Sequence, residues 1–293
     1  MQRWFCILLT FLLVFPFQAQ CWSKEGHRVV ARIAARHLSE HALLRVSQLL
    51  EVENTAEAVG NALADASTWA DDVRNDTGTA AWHFIDLALQ DNRTNMPERC
   101  PNDDCATARI RLFAAQLKAN DPDSDARFSD ANALRFLIHF VGDVHQPLHA
   151  ASNADRGGNC EMLIAPVDSA KDLHALWDGP LVNRMGADDA LALELDKEIA
   201  VSTDDQKTDF ASGDQDDWAW ESHRLAIVNV YRRLQIPKQS VEFPASCEEA
   251  PDEIRESEIA VDEEYLQAVQ PVVREQLKKA GLRLAKLLNE ILA

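Results

Sequence analysis

Between Phe136 and Ala150 the chain reads FLIHFVGDVHQPLHA, with three histidines and one aspartate in an otherwise mostly apolar stretch. His139 and Asp143 are four residues apart, so on a helix they project from one face. His145 sits two residues on and points elsewhere, and His149 lies beyond Pro147, where the chain has turned. A lone histidine in an apolar helix is usually a hydrogen-bonded core residue. A histidine paired with a carboxylate is harder to account for, because burying an unpaired carboxylate is costly. The pattern recurs in LHALWDG, where His174 and Asp178 are again four apart. Upstream, TWADDVR offers Asp71, AWHFID offers His83 and Asp86, and WSKEGH places His27 five residues after Trp22. Imidazole nitrogen and carboxylate oxygen are donors that zinc favours, and a catalytic zinc site keeps one position open for water. Taken singly, each residue reads as an ordinary surface or core polar group. Taken together, they are enough for more than one ion, and metal binding accounts for the set without several coincidences.

The segments that would carry these groups read as helices. EGHRVVARIAARHL repeats apolar residues at close to a 3.6-residue period, and SEHALLRVSQLLE follows with Ser39 as a candidate N-cap. ATARIRLFAAQLKAN, ended by DPDSD, is another amphipathic run. DANALRFLIHFVGDVHQ is a strongly apolar helix with Asp130 as a possible cap and Pro147 as its stop or bend. DWAWESHRLAIVNVYRRL and EYLQAVQPVVREQLKKAGLRLAKLLNEIL complete the set, with a kink or break expected at Pro271. Only CEMLIAP suggests a short strand. The expected fold is mainly α, a single helical domain with long loops at Leu89–Ala106, Ala150–Lys171 and Ser202–Asp217.

The 293 residues suffice for a sizeable core. The first 21 differ from the rest: Arg3 is a short basic region, Trp4–Phe17 an apolar run and Gln18–Cys21 a partly small one. This is the pattern of a secretory signal peptide, too short for a comfortable membrane span. Cleavage after Cys21 would leave a domain of residues 22–293 that is secreted or periplasmic. Cys100, Cys105, Cys160 and Cys247 remain in it, and an even count in an exported chain suggests two disulfides. Three pairings are open. A local Cys100–Cys105 bridge across the PNDD turn would leave Cys160 to Cys247. The formal net charge is −19 for the whole chain and −20 without the leader. Such a protein does not bind nucleic acid through a general basic surface, so a phosphate substrate needs a local positive site, which metal ions supply.

The motifs W-x-x-x-G-H, W-A-D, H-F-I-D, H-x-x-x-D-x-H-Q-P-L-H, G-G-N and H-x-x-x-W-D follow one another through residues 22–293. In these the chain resembles the zinc-dependent single-strand nucleases of the fungal S1/P1 type, to which the zinc-dependent phospholipases C are distantly similar. The resemblance implies a trinuclear zinc cleft. One ion would be held by Asp71, His83, His139 and Asp143. A second would be held by His27, Asp143 as a bridge, and the α-amino group and carbonyl of Trp22. A third would be held by His149, His174 and Asp178. His145 is not a ligand in this scheme. The catalytic set would be Asp71 and Asp143 with Arg74, whose fork could also clamp a phosphate oxygen. Phe84 would stack a base, Asp86 would hydrogen-bond its edge, and Asn159 of DRGGN would reach the pocket. The implied activity is endonucleolytic hydrolysis of single-stranded DNA and RNA to 5′-phosphate products, with possible removal of 3′-phosphates from nucleotides. The enzyme would work as a monomer with no stable membrane association. Two other functions compete. A zinc phospholipase C would need an exposed apolar stripe, which is not evident. A non-catalytic zinc-binding protein would have no use for an open coordination position.

Overall fold

The computed structural model describes residues 22–120, 127–239 and 243–293. The leader expected at residues 1–21, and the DPDSD stretch, lie outside the described residues. The described chain is mainly helical, in the order α1 (Lys24–Arg36), α2 (Glu40–Leu49), α3 (Ala56–Ala66), α4 (Trp69–Thr77), α5 (Ala106–Ala119), α6 (Asp130–Asp143), β1 (Met162–Val167), β2 (Ala170–Asp172), α7 (Leu173–Asp178), α8 (Pro180–Asn183), α9 (Asp188–Val201), α10 (Asp204–Phe210), α11 (Gln215–Ala226), α12 (Asp252–Arg255), β3 (Glu258–Ile259) and α13 (Glu263–Ile291).

Helix α6 is mostly apolar, and its second half sits in the middle of the core. Every residue from Phe136 to Asp143 is buried. Its aromatic face meets Phe113 of α5, stacked on Phe136 at 5.2 Å, and Trp82, edge-on to Phe136 at 5.7 Å. Helix α1 buries Val29, Val30, Ile33 and Ala34 against α13, α3 and α9. Ser39 caps α2 by accepting from Ala42 N, as its position suggested. The cap of α6 is Ser129, which accepts from Asn132 N, and Asp130 is instead the first helical residue. Of the kink or break expected at Pro271, the break does not occur. Helix α13 runs continuously through it, because Val269, Val273 and Leu277 bury on both sides of the proline. Pro147 does stop α6, opening a short 3₁₀ turn, Pro147–Ala150.

Three of the expected loops contain structure. Arg93–Arg99 and Pro101–Asp103 are 3₁₀ turns, and α10 lies within Ser202–Asp217. The strand suggested by CEMLIAP is β1, the middle of a small sheet ordered β2-β1-β3, antiparallel to β2 and parallel to β3. Asp172, at the end of β2, caps α7 by accepting from Ala175 N at 2.8 Å, so the hairpin delivers His174 and Asp178. Two disulfides form, Cys100–Cys105 and Cys160–Cys247. The second ties the loop after Asp155 to the acidic 247–264 segment, which buries Ile254 and supplies β3.

Candidate metal centre

The Asp143 carboxylate closes α6 and faces four imidazoles. Its Oδ2 lies 3.0 Å from His83 Nδ1 and 3.2 Å from His139 Nε2, and its Oδ1 lies 3.3 Å from His27 Nε2 and 3.5 Å from His149 Nδ1. Asp71 of α4 approaches from the other side, with Oδ1 3.7 Å from both His83 Nδ1 and His139 Nε2. Around Asp178, His149 Nε2 stands at 3.4 Å and His174 Nε2 at 3.2 Å. Three groups result that could each hold a metal ion: His27, His139 and Asp143; Asp71, His83 and His139; His149, His174 and Asp178. His149 lies between Asp143 and Asp178, so the groups adjoin.

The backbone sets the rings. His139 Nδ1 donates to Ser67 O at 2.6 Å, His149 Nδ1 to His83 O at 3.0 Å, and His174 Nδ1 to Gly157 O at 2.7 Å. Each such bond fixes the tautomer and turns the Nε2 lone pair toward the carboxylates. Gly157, at φ +65°, can offer its carbonyl there because a β-carbon would stand 2.5 Å from Leu148 O. Gln146 donates from Nε2 to Asp178 Oδ1 at 2.7 Å while its Oε1 accepts from Leu148 N. Neither Ser67 nor Gln146 is singled out for these roles by residue type or spacing, although Gln146 stands inside the H-Q-P-L-H motif.

The residues fit a metal. His27 Nε2, His149 Nε2, Asp71 Oδ1, Asp143 Oδ1 and Asp178 Oδ2 are buried with no hydrogen-bond partner among the described residues, and each such atom is costly unless something satisfies it. Donors bound to a tetrahedral zinc at its usual bond lengths lie about 3.3 Å apart. The separations within the Asp71, His83, His139 and Asp143 set are 3.0, 3.2 and 3.7 Å. The electrostatics also call for positive charge. Burial alone would raise the Asp143 carboxyl, but the His139 charge and the close approach of the His139, His27 and His83 rings hold it well below the usual range. Burial disfavours protonated His139, yet Asp143 and Asp71 outweigh it and push the ring up to about 9. A proton and a metal ion therefore compete for one position.

The other expected residues fall as follows. Trp22 is 1% exposed, and the next residue, Ser23, donates its backbone N–H to Asp178 O at 2.6 Å. Arg74 Nη1 lies 3.5 Å from Asp71 Oδ1. Phe84, next to His83, keeps 38% of its surface exposed. Asp86 is half-buried, and burial together with the Asp155 charge pushes its carboxyl up to about 6. Asn159 turns its side-chain amide onto Arg156 O of its own loop, at 2.7 Å. His145 faces away from the centre, toward α13.

The sequence profile of the family described as S1/P1 Nuclease matches residues 22–293. Endonuclease 4 of Arabidopsis thaliana is 27% identical over 99% of this chain and 95% of its own length. Nuclease S1 of Aspergillus oryzae is 29% identical over 92% of this chain and 91% of its own. Nuclease P1 of Penicillium citrinum is 29% identical over a shorter stretch, 54% of this chain and 57% of its own. With that match running the length of residues that converge on Asp143 and Asp178, the chain belongs to the S1/P1 nuclease family.

Proposed function

We propose that this protein is a secreted, zinc-dependent endonuclease that cleaves the P–O3′ bond of single-stranded DNA and RNA, leaving 5′-phosphate and 3′-hydroxyl ends. The observation that carries the reading is the convergence of His27, Asp71, His83, His139, Asp143, His149, His174 and Asp178 into three adjoining donor groups within an acidic protein of the S1/P1 nuclease family. Trp22, freed by removal of residues 1–21, would add its α-amine beside His27. Zinc held by these donors supplies Lewis-acid polarisation of a phosphodiester and lowers the pKa of attacking water.

The chain's own residues account for the rest. Arg74, close to Asp71, presents a planar fork suited to a phosphate oxygen. Phe84 offers an exposed ring next to His83 on which any base can stack. Asp86 sits two residues further on, where its carboxyl, held up at about 6, can bond a base edge. A base in this position must leave its stack, and a duplex resists that more than a single strand does. A 3′-nucleotide presents the same base and phosphate, so removal of 3′-phosphates is included in the proposal. Positive charge enters through the bound ions, which is how a chain of net charge −19 attracts a polyanion.

The test is cleavage of circular single-stranded DNA by purified protein beginning at Trp22, with and without a zinc chelator. Chelator-sensitive nicking of the circle is expected. Zinc-loaded protein that leaves the circle intact would overturn the endonuclease reading and direct attention to mononucleotides or lipid head groups.

A further inference from the structure

Helix α6 ends at Asp143 without a left-handed cap residue; Val144 follows at φ −62° and ψ −14°. The helix end is buried, and its last carbonyls are met locally, Phe140 O, Gly142 O and Asp143 O by the N–H groups of Val144, His145 and Gln146. The next two carbonyls, Val144 O and His145 O, find partners on α11 and α13. Ser222 Oγ donates to Val144 O at 2.7 Å, and Gln276 Nε2 donates to His145 O at 3.0 Å and to Ser222 Oγ at 3.2 Å. The His145 ring folds back and donates from Nδ1 to Val141 O at 2.7 Å. Its remaining nitrogen, Nε2, accepts from Arg283 Nη1 at 2.9 Å. Arginine has only donors, so this contact fixes the ring in the Nδ1–H tautomer.

Arg283 is 4% exposed, and a cation so deeply buried must be paired. Its partner is Glu221 of α11, at 2.7 Å, which also pairs with Lys279. His145 and Ser222 are fully buried, and Gln276 is 1% exposed. This polar cluster grips the one turn of α6 that carries Asp143, whose carboxylate has four imidazole nitrogens within 3.5 Å. A site of that density tolerates displacements of only about 0.5 Å.

We infer that Arg283 is a positioning residue: acting through His145, with Ser222 and Gln276 beside it, it holds the end of α6 so that Asp143 stays among the four rings. The inference rests on the proposed role of Asp143 in holding metal. A purely structural Arg283 would change stability and leave the donor geometry of the folded protein alone.

The test measures Zn²⁺ affinity by chelator competition and the visible absorption of the Co²⁺-loaded protein, whose bands report ligand geometry. For Arg283→Met, with an unchanged far-ultraviolet circular dichroism spectrum, Zn²⁺ affinity falls about 10–100-fold, the range for loss of a group that orients a ligand, and the cobalt bands shift. Ser222→Ala, a milder change in the same cluster, moves both readouts in the same direction by less. A folded Arg283→Met protein with wild-type affinity and a wild-type cobalt spectrum would overturn the inference and leave the metal reading standing. If Arg283→Met does not fold, Ser222→Ala decides on the same two readouts, and no change in either rejects the inference. Wild-type protein that binds neither ion would remove the metal reading itself, and this inference with it.

Discussion

Gly142 lies against the His27 imidazole so closely that a β-carbon on Gly142 would stand 2.7 Å from His27 Nδ1 and 3.0 Å from Cε1. His27 is stacked on His139 with ring centroids 3.9 Å apart, and it is 1% exposed, so it has nowhere to retreat. Gly142→Ala therefore pits two effects of similar size. Helix propensity favours alanine by about 1 kcal/mol, while overpacking costs about 1–3 kcal/mol. The metal-free protein should lose little stability. Metal retention should suffer more, because the side chain that must move is a donor. Dialysis against graded chelator is expected to show zinc leaving the variant at about 10–100-fold lower chelator strength. Equal retention would mean that His27 is not a ligand.

Asp143→Asn keeps the shape of the centre and removes the charge that four imidazoles share. An amide is a poor zinc donor, and its NH₂ group would point hydrogens at nitrogens that need a lone pair for the ion. Activity is expected to fall by more than the about 100-fold typical of an orienting residue, with metal content reduced in parallel. Near-normal turnover would sink the shared role of Asp143.

How far the sequence went can be judged from these same residues. The His139/Asp143 and His174/Asp178 spacings were visible because a helix puts i and i+4 on one face. The supports behind them were not. Ser67 O, His83 O and Gly157 O are backbone carbonyls, and every residue has one. Arg283 lies 138 residues from His145 and reads as a solvated arm of an amphipathic helix until the fold brings them together. Strand β3 is two residues long and exists through its pairing with β1, a non-local contact without periodicity. The acidic 247–264 segment likewise reads as solvated surface, because what docks it is non-local: the Cys160–Cys247 bridge, the pairing of β3 with β1, and the burial of Ala250 and Ile254 among so many charged residues.

Trp22 leads into α1, where Ser23 N–H meets Asp178 O and Ser23 Oγ bonds Asn183 Oδ1 at 3.0 Å. This anchoring holds the N-terminal end of α1 against the end of α7. A free α-amine at Trp22 can donate to a metal once deprotonated, and its reference pKa of about 7.7–8.0 makes that accessible near neutral pH. A protein carrying extra residues before Trp22 has an amide there instead. Such a protein is expected to hold less zinc and to lose activity, with both restored when a protease trims it to Trp22. Full activity with Trp22 in peptide linkage would contradict the role given to its amine.

Glu161 is 1% exposed, and its Oε2 accepts from Ser257 Oγ at 3.1 Å. Burial, reinforced by the Asp155 charge, pushes its carboxyl from 4.5 to about 7. The sign follows from proton counting: between these values the folded state keeps a proton that the unfolded state releases, so stability falls as pH rises from about 4.5 to 7 and is level above. The gap corresponds to a penalty on the order of 3 kcal/mol above pH 7. Glu161→Gln removes it while retaining an oxygen for Ser257. In denaturant unfolding, the variant should gain on the wild type steadily from pH 5 to pH 7.5. A difference that does not change with pH would show that Glu161 ionises normally in the folded protein.

Phe84 separates the substrate role from the metal role. Its ring is 38% exposed, so truncation removes little from the core, while its backbone carbonyl accepts from Ala106 N at 3.0 Å and would go on doing so in any variant. Phe84→Ala should therefore fold and keep its zinc. Base stacking contributes about 1–3 kcal/mol per base, so nucleotide affinity should drop by roughly 5–150-fold, which isothermal titration with a non-hydrolysable single-stranded oligonucleotide can resolve. The drop should be similar for all four bases, because every base has a π-face. A loss of zinc in place of a loss of oligonucleotide binding would make Phe84 a structural support of its neighbour His83.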